Sequence, residues 1–281
     1  MRGRWEKVAA RRAWQPVDQA ELDRPESDAD PEHLSFGRHV LVFFKELAAV
    51  VVGAIIVASL LRGFVGQMFL IPSFSMKNTL QVDDRVVVEK LGGIKRGQVV
   101  VFKDPGGWLT DSTARERGPI GKAFQFVGVM PDTSTEHLIK RVVGMPGDRV
   151  VCCDDTGRLT VNGQTLDETP YLATEAGEVQ VRPSTIAFDV VVPHGHLFVM
   201  GDNRSHSRDS RCHLNDTQAG GATGENAFVS QDLVVGRAIA VVWPLDRQHR
   251  LAIPDTFDSV PSGSEPAPDA ATITAGPEAS C

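Results

Sequence analysis

Hydrophobic and polar positions along this chain fall into two regimes. One is a single unbroken apolar stretch, LVFFKELAAVVVGAIIVASLL, from Leu41 to Leu61. At about 1.5 Å per residue, about 21 helical residues reach roughly 30 Å, the thickness of a hydrocarbon core. A membrane helix is therefore predicted over 41–61. Lys45 and Glu46 fall one turn inside its start, where a lysine stem can reach the headgroups and the two charges offset each other. The other regime is a series of short β-branched runs punctuated by Gly, Pro and Asp. DRVVVEKL (84–91) and GQVVVFKDP (97–105) read as a hairpin pair, and HLIKRVVG (137–144) as a third strand ended by Met145-Pro146-Gly147-Asp148. DRVVC, RLTVNG and FDVVVP continue the pattern, HLFVMGD follows, and LVVGRAIAVVWP (233–244) reads as a closing strand pair. The predicted fold is mainly β, an antiparallel sheet with one N-terminal membrane helix. Residues 105–136 and 212–229 are Gly-rich and aperiodic, which predicts exposed loops.

The ends of the chain differ from this body. Residues 1–40 are charged, mixed in sign and without apolar period, so a disordered tail is expected there. Trp5 and Trp14 are the two features in it that could mark a short amphipathic helix. Residues 247–281 are rich in Pro, Ser, Ala and Thr and read as a second solvated tail. With 26 glycines, 17 prolines and 42% hydrophobic residues, the composition suits a turn-rich β protein better than a helical bundle. A formal charge of -7, with no lysine-arginine cluster, argues against a nucleic-acid partner.

Three blocks carry the candidate chemistry: IPSFSMKNTL (71–80), HLIKRVVGMPGDRV (137–150) and GDNRSHSRDSR (201–211). A serine hydroxyl needs a neighbouring base to become a nucleophile. A lysine can be that base if an apolar pocket lowers its pKa until the amine is neutral near working pH. Lys140 lies between Leu138-Ile139 and Val142-Val143, so strand alternation would bury its stem among aliphatic neighbours. His206 beside Ser207 offers a Ser-His alternative, disfavoured because adjacent side chains diverge in strands and turns.

These blocks, in this order and just beyond one membrane segment, resemble the bacterial type I signal peptidases, membrane-anchored Ser-Lys enzymes that remove signal peptides from exported proteins. The match extends over about residues 66–104, 137–165 and 195–244. The resemblance places the nucleophile at Ser75, an oxyanion-hole hydroxyl at Ser73 and the general base at Lys140. It places a serine that hydrogen-bonds the lysine at Ser207, and a supporting ion pair at Asp209 and Arg211. It also implies a barrel-like peptidase domain over 66–246, outside the cytoplasmic membrane, in which 150–197 forms a cap-like β subdomain. The N-terminus would be cytoplasmic, an orientation that Arg38 and Lys45 against Arg62 favour slightly. Implied partners are the lipid bilayer and exported precursors with small residues at the first and third positions before the cut. Two departures are visible: Asn78 stands where many relatives have proline, and Phe74 where a small residue is common.

No cofactor is implied. No His-Glu-x-x-His occurs, and His194 and His196 sit in a PHGH turn, so no metal site is expected. The chain has four cysteines, at 152, 153, 212 and 281. In an extracytoplasmic domain a disulfide is permitted, and the expectation is that Cys212 bonds one of the vicinal pair. Two other functions compete. A self-cleaving Ser-Lys relative would carry a DNA-binding domain and no membrane helix, and an inactive membrane-anchored scaffold would bind exported chains without cutting them.

Overall fold

The structure, a computed structural model, describes residues 36–64, 66–109, 137–175, 178–179, 184, 186–217 and 221–276. The helix α1 runs Phe36–Phe64, longer at both ends than the predicted 41–61, because i to i−4 hydrogen bonding continues past the apolar stretch into its polar flanks. Residues 36–40, expected in the tail, are thus helical; Trp5 and Trp14 lie outside the described residues. Leu41, Phe43, Val50 and Val57 are exposed along α1, and Gly37–Leu60 is long and apolar enough to cross a membrane.

The β body is built on an eight-stranded antiparallel sheet. Its order is Gly66–Leu70, Arg85–Glu89, Val234–Trp243, Val99–Lys103, His137–Gly144, His196–Met200 and Val229–Ser230, with His249–Arg250 paired to Val234–Trp243. The expected hairpin between 84–91 and 97–105 does not form. Val234–Trp243 inserts between the two runs and pairs with both. That segment is one ten-residue strand rather than the strand pair predicted, and it bends at register shifts after Ala238 and Val241 instead of turning back. Phe69 and His137, on strands separated by three others in the sheet order, have ring centroids 5.3 Å apart. The sheet therefore curls toward a barrel.

Period-two alternation divides the core between two sides of this sheet. Along Val99–Lys103, Val99 and Val101 enter one buried cluster with Phe69, Ile71 and Met76. Val100 and Phe102 enter another with Val142, Leu197 and Val199. A strand buried on both faces reads as a continuous apolar run, which is what VVVF is. A third cluster, with Val150, Leu159, Phe188 and Phe198, joins this sheet to a second one. The second sheet has the order Thr272–Ala275, Phe188–Val191, Arg149–Cys152, Leu159–Val161, Gln164–Thr165.

The C-terminal expectation is corrected here. Residues 249–276 are not a solvated tail: Thr272–Ala275 adds a strand beside Phe188–Val191, Phe257 and Val260 are buried, and the Ser264 amide donates to the Gly147 carbonyl. A Pro/Ser/Ala-rich composition hid this because sparse apolar anchors suffice when the rest of the segment hydrogen-bonds an existing surface. The loop readings are corrected in part as well. Trp108 is buried against His213, the rings stacked at 4.7 Å, and Asn226–Val229 are buried too. Residues 110–136 and 218–220 lie outside the described residues. Cys152 and Cys153 are bonded to each other, so neither is available to Cys212, which is itself disulfide-bonded; the expected bridge from Cys212 to the vicinal pair is not formed.

Candidate active site

Lys140 sits mid-strand in His137–Gly144 and faces Val100 across the ladder, on the side of the strand that also carries Leu138 and Val142. Only 3% of it is exposed. Burial, opposed by the charges of Asp209 and Asp202 and aided by Arg211, brings its pKa down to about 8. Its Nζ donates to Ser75 Oγ at 2.8 Å and to the Ile139 carbonyl at 3.0 Å. A neutral amine at the same place would accept the serine proton.

Ser75 lies on a loop pinned by apolar anchors on both sides. Ile71, Met76 and Leu80 are fully buried, the Lys77 amide donates to Phe74 O and the Leu80 amide to Met76 O. Ser75 is 7% exposed, while Phe74 projects into solvent. Ser73 Oγ is 3.4 Å from Ser75 Oγ. Among the described residues the Ser75 amide has no acceptor, which leaves that N–H available to an incoming oxygen.

The third block closes over the serine from behind. The Asn203 amide donates to the Ser75 carbonyl at 3.0 Å and Asn203 Nδ2 to the Phe74 carbonyl at 3.1 Å. Gly201 is required by close approach: a Cβ there would lie 2.1 Å from Ser207 Oγ and 2.5 Å from the Ser75 carbonyl. Asp209 and Arg211 form a bidentate pair at 2.8 Å for both contacts, and both are buried. Burial alone would raise the Asp209 pKa, but Arg211 and the Gly201 amide hold it below the ordinary carboxylate value. Arg211 Nη2 also donates to the Arg204 carbonyl, tying down the turn that carries Ser207.

Of the six residues singled out in the sequence, Ser73, Ser75 and Lys140 are thus assembled within hydrogen-bonding or van der Waals reach, and Asp209 pairs with Arg211. Ser207 is buried, and the two acceptors of Lys140 are Ser75 and Ile139 rather than the Ser207 hydroxyl expected from the sequence. His206 is exposed and its Nδ1 lies 3.2 Å from Ser205 Oγ, so the Ser-His alternative is not assembled.

Sequence reasoning gave no role to several residues that shape the site. Arg141 is bidentate to Asp202, with contacts of 2.8 and 2.6 Å, and donates to the Gly97 carbonyl. Thr79 donates to the same aspartate. Arg204 pairs with Glu168. All four charged groups are buried, and a buried charge is legible in sequence only when its partner is known. Removing one member of such a pair leaves an uncompensated charge. Asp209→Ala is therefore expected to cost about 3–5 kcal/mol of stability, measured by denaturant unfolding at neutral pH; a loss below about 1 kcal/mol would show that the pair behaves like a surface one.

Comparison with known proteins gives one consistent result. Residues 44–243 match the family described as signal peptidase, peptidase S26. A probable signal peptidase I of Mycobacterium leprae (strain TN) is 38% identical over 233 residues, covering 75% of this chain and 78% of its own. Signal peptidase I of Mycobacterium tuberculosis (strain ATCC 25618 / H37Rv) is 35% identical over 226 residues, 72% of this chain and 74% of its own. Signal peptidase I T of Bacillus subtilis (strain 168) is 29% identical over 214 residues, 74% of this chain and 89% of its own.

Proposed function

We propose, for a chain that belongs to the signal peptidase family, peptidase S26, that Ser75 is the nucleophile and Lys140 the general base. The chain is a serine endopeptidase of the signal-peptide-removing class, acting on exported precursors. The observation that carries the residue assignment is the 2.8 Å contact between Lys140 Nζ and Ser75 Oγ inside a buried apolar site.

In the acylation step neutral Lys140 takes the Ser75 proton as Oγ attacks the scissile carbonyl carbon. The oxyanion is received by the Ser75 amide and the Ser73 hydroxyl. Lys140, now an ammonium, returns the proton to the leaving amine as the C–N bond breaks. A water deprotonated by Lys140 then releases the signal peptide from Ser75. Asp209 and Arg211 hold the loop behind this pair, and Ser207 is buried beside Gly201.

The substrate is read in an extended conformation. Phe69–Leu70 pair only with the Arg85–Glu89 strand, and Leu138–Lys140 pair only with Val99–Lys103, so among the described residues each strand offers an unpaired edge beside the serine. A precursor segment adds there as a further strand. Side chains at its first and third positions before the cut share one face. That face meets a narrow apolar cleft lined by Phe69, Ile71, Pro72, Val101, Leu138 and Ile139, which admits small residues and excludes large ones. The membrane helix α1 ends two residues before the Gly66–Leu70 strand. This tethers the cleft near the bilayer, on the outer face if the N-terminus is cytoplasmic.

The test is the pH dependence of cleavage. Protonated Lys140 cannot accept the serine proton, so the rate rises with pH and levels off above a midpoint near the lysine's pKa of about 8. Measured from pH 6 to 10 on a purified precursor in detergent, it gains about tenfold per pH unit well below the midpoint. A flat profile, or one centred near pH 6, would move the base to another group.

A further inference from the structure

We propose that residues 168–173 form a positioning clamp, with Glu168 as its key residue, that holds the nucleophile loop and the 201–204 loop in register with Lys140. This segment lies outside the three sequence blocks, yet it touches each of them. Asn78 Nδ2, three residues past the nucleophile, donates to the Leu172 carbonyl at 3.1 Å. Arg141, next to Lys140, stands over the Tyr171 ring at 4.4 Å. The Ala173 amide donates to the Asp202 carbonyl at 2.9 Å, and the Glu168 carboxylate takes both Arg204 Nη atoms, at 3.0 and 2.6 Å.

The local sequence explains why the segment is rigid. Pro170 fixes one backbone angle, and the Tyr171 and Leu172 amides both donate to the Glu168 carbonyl, closing a single tight turn. Glu168, Tyr171, Leu172 and Ala173 are all buried. The Tyr171 hydroxyl donates to Glu168 Oε1; burial and that carboxylate hold the phenol far above its ordinary pKa, so it remains a donor. The C-terminal segment backs the turn, with Thr256 Oγ1 accepting from the Asp167 amide and Phe257 stacked on Tyr171.

The clamp reaches the chemistry through two short links. Asp202 and Arg204 flank Asn203, which donates to both the Phe74 and the Ser75 carbonyls. Arg141 is bound to Asp202 and is the backbone neighbour of Lys140. A shift of the 201–204 loop therefore moves Ser75 relative to Lys140, and a misplacement of about 1 Å can cost on the order of a hundredfold in rate. Asn78 makes its tie from a backbone conformation at φ 86° that proline cannot adopt.

The proposal rests on Ser75 and Lys140 being the reacting pair, and Ser75→Ala in the same assay reports on that separately. The variants are Glu168→Gln, Tyr171→Phe and Asn78→Gly, the last removing the Leu172 bond while accepting the positive φ. Each is assayed as the full-length protein in detergent, with KM taken as measured and kcat scaled to the folded fraction determined by near-UV circular dichroism. Glu168→Gln is expected to lower kcat by about 10- to 100-fold with KM within about twofold, and the other two by several-fold with the same split. Combining Glu168→Gln with Asn78→Gly is expected to lose less than the product of the single losses, since both act through one clamp. If Glu168→Gln fails to fold, Tyr171→Phe and Asn78→Gly decide the question alone. Unchanged kcat per folded molecule in the folded variants would overturn the proposal and leave the segment a purely structural brace.

Discussion

Ser75→Ala is expected to abolish precursor cleavage, a fall of roughly four to six orders of magnitude in kcat, with the fold intact. The size follows from the role: without Oγ no acyl-enzyme forms, and only binding and oxyanion stabilisation remain. The fold survives because the loop is held by Ile71, Met76 and Leu80 and by the Asn203 bonds to backbone carbonyls, none of which involves the serine side chain. Lys140 Nζ gives up its hydrogen bond to Oγ but keeps the one to the Ile139 carbonyl. The variant is therefore expected to capture uncut precursor in the cleft, detectable as a stable complex in native mass spectrometry. Residual cleavage within about tenfold of the intact protein would place the nucleophile elsewhere. An intact protein that binds several precursors and cuts none would favour a scaffold.

Lys140→Met is expected to remove activity to a similar extent and to make the protein more stable. A thioether of similar length fills the same apolar slot between Leu138 and Val142 but accepts no proton. The stability change has a definite sign. The lysine pKa is about 8 in the folded chain against an ordinary value of 10.5, so between those values the unfolded state binds more protons and stability rises with pH. Below pH 8 both states are charged, and the folded protein carries the full penalty of a buried ammonium, about 3 kcal/mol by the conversion of about 1.4 kcal/mol per pKa unit. Methionine removes that penalty. At pH 7 the variant is expected to gain about 1–3 kcal/mol in denaturant unfolding, with the gain fading as pH approaches 10.5. A variant less stable than the parent at pH 7 would mean that Lys140 is stabilised by its charged neighbours rather than strained by burial. Robust cleavage by it would remove Lys140 from the mechanism.

The same residue shows what could be read from sequence. Alternation around Lys140 placed its stem among aliphatic side chains, and the ladder with Val100 puts it there. Local patterns of that kind carry to the structure because period two fixes the face of a strand. Pairing partners are not local. The runs 84–91 and 97–105 read as a hairpin because they are close in sequence and separated by a glycine turn, yet Val234–Trp243 pairs with both. Charges behave in the same way. Arg141 and Glu168 look like solvated surface residues until Asp202 and Arg204 are seen to meet them. The 249–276 segment failed on composition, since its apolar anchors, Phe257 and Val260 with Ile253 and Ile273, are few and widely spaced, and many of its other ties are backbone bonds that leave no mark on residue choice.

The insertion of Val234–Trp243 between Arg85–Glu89 and Val99–Lys103 sets the order in which this molecule can mature. A chain is made from its N-terminus, and pairings between distant segments wait for loop closure. The strand that carries the nucleophile loop and the strands that carry the base emerge early, but the piece that joins them in one curled sheet is among the last to arrive. Residues 71–140 alone have no closing strand to hold serine against lysine. A chain truncated before Val234 is therefore expected to cut no precursor, which assay of such a truncation against the full-length protein would check.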